Sequence, residues 1–242
     1  MPAFNEEESV AAVVSSVIAS GLPVLVVDDG SADSTASQAE DAGAMVLRLP
    51  FNLGVGGALR CGFRWAVRNG FDTAIQCDAD GQHDPGQLHA LLAAAVELDA
   101  HLLIGSRFSS AGGFQATRLR RIPMRLLGRL ASTAAGNRIT DASSGFRVIR
   151  EPLLSEFARA YPVHYLGDTF EVLVQAGKQG YRISEAPVTM KARTTGVPSS
   201  GPGASVRNLL RVLAALAIGS SLRYRRFDPL TPQPSRPDTN ST

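Results

Sequence analysis

Ala74-Ile75-Gln76-Cys77-Asp78-Ala79-Asp80-Gly81-Gln82-His83-Asp84-Pro85 is an apolar run that ends abruptly in carboxylates and a turn. It reads as a strand delivering acids to a site. If strand geometry persists to its end, Asp78, Asp80 and Gln82 stand at i, i+2 and i+4 and share one face. Three oxygen ligands then converge. Two carboxylates held that close raise one another's pKa unless a cation sits between them, and hard oxygen donors favour Mg2+ or Mn2+. Asp84 is placed to cap the helix that follows, with Pro85 at its first position. Taken alone, an Asp-x-Asp is equally a solvated Asp-rich turn, so the rest of the chain has to decide.

Upstream, Pro2-Ala3-Phe4-Asn5-Glu6-Glu7-Glu8 leads into a helix over Ser9–Ala19, where Val10, Val13, Val14, Val17 and Ile18 recur at helical spacing. Pro23-Val24-Leu25-Val26-Val27 is a β-branched run that ends in Asp28-Asp29-Gly30-Ser31, followed by a polar helix to Asp41 and a strand over Ala44–Leu47. A helix from about Gly56 to Asn69, the Thr73–Cys77 strand, a Pro85–Leu98 helix and a His101–Gly105 strand continue the alternation. This order predicts an α/β fold, a Rossmann-like, mostly parallel sheet flanked by helices. In such sheets ligands bind beyond the carboxyl ends of strands, where Asp28, Asp29, Asp78, Asp80 and Arg107 all fall.

The 242 residues are 44% hydrophobic and 19% charged, enough for one sizeable α/β domain. A net charge of +2 without a repeated basic-aromatic pattern gives no reason to expect a nucleic-acid partner. Cys61 and Cys77 are far apart and form no Cys-x-x-Cys pair, so they read as small buried hydrophobes in a reducing compartment. The apolar run Val212–Leu222 is too short to span a bilayer. A cytoplasmic protein, peripheral on the inner face of a membrane, is expected.

Asn52-Leu53-Gly54-Val55-Gly56-Gly57-Ala58-Leu59-Arg60 is not a dinucleotide fingerprint, because Leu59 stands where the third glycine is needed. No P-loop occurs. The stretch is either a plain turn or a tight loop feeding a helix N-terminus near phosphates, with Arg60 one turn in. His83 and His89 are badly spaced for a metal, and His101 and His164 have no partnered motif, so the histidines read as structural.

Together, Pro2-Ala3-Phe4-Asn5-Glu6-Glu7, Val26-Val27-Asp28-Asp29-Gly30-Ser31, Cys77-Asp78-Ala79-Asp80-Gly81-Gln82-His83, Gly105-Ser106-Arg107-Phe108, Ser143-Ser144-Gly145-Phe146-Arg147 and Gly180-Tyr181-Arg182-Ile183-Ser184-Glu185-Ala186-Pro187-Val188 resemble the ordered signature of family 2 glycosyltransferases with the GT-A fold. Within that family the chain is most similar to the dolichyl-phosphate or polyprenyl-phosphate sugar synthases. The resemblance covers residues 2 to about 200. It implies a GT-A domain over 1–200, with a nucleotide-sugar half to about 107 and an acceptor half over 108–200. The implied reaction is an inverting transfer from a UDP- or GDP-sugar, with Mg2+ or Mn2+ held by Asp78, Asp80 and Gln82. Pro2, Asn5, Glu6, Asp28, Asp29, Arg60, Asp78, Ala79, Arg107, Lys191 and Arg193 are the implied nucleotide-sugar residues. Asp80, Arg147 and Asp168 are the implied catalytic ones. Family members carry an apolar strand immediately before the Pro-Ala-Phe-Asn-Glu motif, whereas here Met1 alone precedes Pro2, so either a start placed too far downstream or a missing first strand, and with it an incomplete nucleotide pocket, is expected.

Arg118–Leu130 interleaves five arginines with apolar residues, as does Arg207–Arg226 within an amphipathic helix expected over 201–227. Both suit a membrane surface with anionic headgroups, or a basic helix packed on the domain. Residues 228–242, with Pro229, Pro232, Pro234 and Pro237, read as a disordered tail. A lipid-phosphate acceptor, with a second pKa near roughly 6, needs no base, and the arginine-rich segments favour it. A hydroxyl acceptor would need one, and Asp168 is placed to serve. A sugar nucleotidyltransferase and a non-catalytic nucleotide- or lipid-binding protein are the remaining alternatives.

Overall fold

The β-branched run that ends in paired acids forms strand β2 (Leu25–Asp28), in which Val26 and Val27 are buried. A computed structural model describes residues 1–107, 132–133, 136–162 and 168–190. It places β1 (Pro2–Ala3) on one side of β2 and β3 (Met45–Arg48) on the other, both parallel to it. Parallel neighbours need crossovers, which α1 (Val10–Ala19) and α2 (Thr35–Asp41) supply. Helix α1 buries Val10, Val13, Val14 and Val17, one stripe at helical spacing.

The first strand is not missing: a two-residue β1 pairs, because Met1 and Pro2 can still reach the β2 ladder. Pro2 lies opposite Val27 and Ala3 opposite Asp28. Met1 extends the ladder: its carbonyl accepts from the Val27 N–H at 2.8 Å and its amino group donates to the Leu25 carbonyl at 3.0 Å. Burial lowers the pKa of that amino group.

Helix α3 (Val55–Arg68) leads to β4 (Thr73–Gln76), and α4 (Leu88–Glu97) leads to β5 (Leu102–Ser106). Then come β6 (Arg147–Arg150), α5 (Leu153–Ala160), α6 (Asp168–Lys178) and β7 (Ile183–Pro187). The second sheet has the order β4-β6-β5-β7. Strand β6 runs antiparallel to both neighbours, while β5 and β7 are parallel. Parallel pairing therefore prevails in the described residues, and the antiparallel insertion of β6 is a feature that the strand-helix alternation could not signal. Residues of β2, α3 and β4, among them Leu25, Val27, Phe63, Ala74 and Ile75, line an apolar cavity of about 380 Å³.

Asp84 caps as its sequence suggests, its carboxylate accepting from the Gly86 N–H at 3.3 Å, although Pro85–Gln87 forms a 3-10 turn before α4 begins. Arg118–Leu130, the 201–227 helix and the 228–242 tail lie outside the described residues. Among the described residues no helix is long and apolar enough to cross a membrane.

Candidate active site

Strand β4 stops at Gln76, and residues 78–82 form a turn in which Gly81 has φ of +75°. The strand geometry that would have lined up Asp78, Asp80 and Gln82 on one face therefore does not persist. Tight turning substitutes for it: the Asp80 carboxylate accepts the Gln82 N–H at 3.0 Å, an Asx-type bond that folds the segment back. Ala79 is buried at the centre of this turn. The Asp78 side chain is 40% exposed and so can reach a ligand. Among the described residues no three His, Cys, Asp or Glu side chains gather around a metal position. Two hard carboxylates in one turn fit Mg2+ or Mn2+ only with further oxygens from Gln82, water or a bound diphosphate.

Gly145 presses against Asp78 from the loop that precedes β6. A Cβ built there would lie 2.9 Å from Asp78 Oδ2, so only glycine lets the carboxylate occupy this place. That loop is held by Arg147. Its side chain is 1% exposed, with Nε donating to the Ser144 carbonyl at 2.7 Å and Nη2 to the Ala142 carbonyl at 3.1 Å. The structure thus gives Arg147 the place of an internal strut rather than that of a group touching substrate, because β6 carries it into the core.

Arg107, at the end of β5, is bound twice by Asp141, with Nε to Oδ2 and Nη2 to Oδ1 both at 2.7 Å. Nη2 also donates to Ser143 Oγ at 2.9 Å. Burial opposes ionisation of Asp141, yet the Arg107 hydrogen bonds hold its carboxyl below the usual range. The same hydrogen bonds raise the Arg107 pKa. One layer behind, Glu185 of β7 accepts from the Thr140 N–H at 2.8 Å and the Asp141 N–H at 2.7 Å, and burial raises its pKa. Asp141 and Glu185 were missed as individual site residues. An acid just ahead of Ser143-Ser144-Gly145 was the available signal for Asp141, but its partner lies 34 residues away.

The β1–β2 end forms a second acidic wall. Asp28 Oδ1 accepts the Ser31 N–H at 3.1 Å, and Asp29 Oδ1 accepts the Leu53 N–H at 2.7 Å. Burial raises the Asp29 pKa, against the hydrogen bonds from Leu53 and Gly54. Gly30 has φ of +74°, and a Cβ on it would meet the Phe51 carbonyl carbon at 2.8 Å. The 51–54 loop is therefore seated directly on the Asp28-Asp29-Gly30 turn. Asn5, itself at φ of +54°, donates from its N–H to Ser31 Oγ and accepts the Ala32 N–H on Oδ1. The Glu6 N–H donates to Thr35 Oγ1 at 2.8 Å. Asn5, Glu6, Asp28 and Asp29 thus belong to one stitched cluster at the carboxyl ends of β1 and β2, whereas Pro2 lies within β1 opposite Val27.

Arg60 is elsewhere. Its guanidinium donates to the Arg159 carbonyl at the end of α5, because α3 turns that face toward α5 and not toward the acids. Asp168 is the first residue of α6, with its side chain outside what is described, and Lys191 and Arg193 also lie outside the described residues.

A family model described as "Glycosyl transferase family 2" matches residues 1–157. The chain is 30% identical to polyprenol monophosphomannose synthase of Mycolicibacterium smegmatis, over 93% of this chain and 88% of that protein. It is 33% identical to undecaprenyl-phosphate mannosyltransferase of Micrococcus luteus, over 81% and 84%. Among solved structures, glucosyl-3-phosphoglycerate synthase from Mycobacterium tuberculosis in complex with Mg2+ and uridine diphosphate superposes with a TM-score of 0.65 at 21% identity, over 88% of this chain and 76% of that one. At that identity the likeness speaks to the fold, which is GT-A.

Proposed function

Because the chain belongs to glycosyl transferase family 2 and is a glycosyltransferase, we propose that it transfers a sugar, with inversion, from a nucleotide-diphosphate sugar to a polyprenyl phosphate. The observation that carries this reading is the Asp78–Asp80 turn beyond the end of β4, with Gly145 set against the Asp78 carboxylate. Asp78 and Asp80, with Gln82, would hold Mg2+ or Mn2+, which when bound stabilises charge on the departing diphosphate. Pro2 of β1 and the stitched cluster carrying Asn5, Glu6, Asp28 and Asp29, with the Ala79 backbone, would receive the nucleoside. Arg107, held in place by Asp141, and Lys191 and Arg193 would add cationic contacts to phosphate oxygens.

The relatives named for polyprenol and undecaprenyl phosphate support the acceptor. A phosphate oxygen of the lipid attacks the anomeric carbon as the bond to the diphosphate breaks, and the electron pair leaves with the nucleoside diphosphate. The lipid monophosphate is already ionised near neutral pH, so no side chain has to take a proton. The arginine-rich segments 118–130 and 207–226 would bring the protein to an anionic membrane surface.

The test is transfer of labelled sugar, with nucleotide-diphosphate mannoses tried first, to polyprenyl phosphate in detergent with Mg2+ or Mn2+. Transfer that requires the metal and disappears in Asp80→Ala is the expected result. Transfer to a hydroxyl-bearing acceptor, lost in Asp168→Asn, would overturn the lipid-phosphate reading.

A further inference from the structure

His83 lies five residues after Asp78 and is 2% exposed. Its Nδ1 accepts the Asp78 N–H at 3.0 Å. An accepting nitrogen carries no proton, so the neutral ring bears its hydrogen on Nε2. Nε2 stands 3.8 Å from Asp78 Oδ2, beyond hydrogen-bond length. The ring therefore holds Asp78 by its backbone amide.

Three segments meet at this residue. One face stacks on Phe146, with centroids 4.7 Å apart and planes within 12°, and Phe146 directly follows the Gly145 that contacts the Asp78 carboxylate. The His83 backbone forms an antiparallel bridge with Met190 beyond β7. Alongside, the Gln87 side chain clamps Thr189 by two hydrogen bonds of 2.8 Å, one to its carbonyl and one from its N–H. The orientation of the Asp78 peptide, and with it the direction of its Cβ, is thus referred through the imidazole to the Gly145 loop, and the His83 backbone is itself fixed on the segment leaving β7.

We infer that His83 is a positioning residue that aims Asp78 at the cation, through the Asp78 N–H to Nδ1 hydrogen bond and its seat on Phe146. This inference rests on the donor-site reading above and adds to it a residue outside the ligand set. A histidine present only to fill the core could satisfy that nitrogen anywhere; here its partner is the backbone N–H of the residue whose carboxylate belongs to the proposed cation site. Partners that orient metal ligands typically change metal affinity about 10- to 100-fold when removed.

The test is Mn2+ binding, followed by electron paramagnetic resonance in the presence of UDP or GDP, in the wild type, His83→Phe and His83→Asn. Phenylalanine keeps the stack and loses the acceptor; asparagine offers an oxygen near the position of Nδ1. The expected result is Mn2+ binding weaker about 10- to 100-fold in H83F, and recovered largely in H83N. Unchanged Mn2+ affinity in folded H83F, or no recovery in H83N, overturns the inference. A wild type that binds Mn2+ with neither nucleotide overturns the donor-site reading itself, a distinguishable outcome. If H83F does not fold, nitrogen-15 NMR of the wild type decides. A protected Asp78 amide and an unprotonated Nδ1, both shifting when Mg2+ and nucleotide are added, support the inference. A freely exchanging Asp78 amide overturns it.

Discussion

Gly145 leaves room for the Asp78 carboxylate of the proposed site. Its Cα approaches the Asp78 carboxylate so closely that Gly145→Ala must push Oδ2 aside. Displacement on the order of 1 Å at a reacting centre costs about 100-fold, so G145A is expected to lose about that factor in transfer rate while its melting temperature stays near the wild type. Asp141 acts through charge. Its fully buried carboxylate neutralises Arg107, and Asp141→Asn is expected to cost about 3 kcal/mol in urea unfolding, because a largely buried guanidinium loses its counter-charge. The pH dependence follows from the lowered pKa of Asp141. Its stabilisation is complete above the unfolded value of about 3.9 and disappears as pH falls through the still lower folded value. The wild type should therefore lose stability on acidification below about pH 4, and D141N should lose less over the same interval. Glu185 has the opposite sign: burial raises its pKa, so its ionisation opposes folding as pH rises through the folded value.

Between elements, the seam of α3 with α5 carries stability apart from chemistry. Phe63 lies 5.8 Å from Phe157 and 5.3 Å from Tyr161, and Phe157 lies 5.1 Å from Tyr161, all as ring centroids. Phe157→Ala should cost about 3 kcal/mol through the cavity it leaves. Nucleotide affinity of the folded variant, measured by calorimetry, should be unchanged. Arg60 shares this seam, which is why its position near a glycine-rich loop misleads: one turn into α3 the guanidinium already faces α5. The same packing logic explains Arg147. Entering the sheet between β4 and β5, strand β6 turns its first residue inward, and the guanidinium then closes on the carbonyls of the loop just before it.

For the molecule as a whole, the two acidic loop clusters, one beyond β1 and β2 and one beyond β4, are the halves of the donor site proposed above, which a divalent cation would complete. Chelation with EDTA is expected to abolish transfer and added Mn2+ or Mg2+ to restore it in the wild type; neither cation should rescue Asp80→Ala. A sugar-transfer assay with and without chelator checks this. Much of this architecture was legible in the chain because it is local. The valine stripe of α1, the β-branched run ending at Asp28-Asp29 and the Asp84-Pro85 cap each depend on residues within a turn or a strand of one another, so periodicity and spacing determined the helices and most strands, while the six ordered motifs carried the resemblance to the GT-A family. Tertiary structure alone decided that β6 runs antiparallel, that Arg147 is internal, that Arg107 belongs to Asp141 across 34 residues and that Gln87 clamps Thr189 across 102. It also decided that His83 carries Asp78. Such pairings have no sequence period, because they arise only when distant segments are buried together and each polar group left without water must find its partner there.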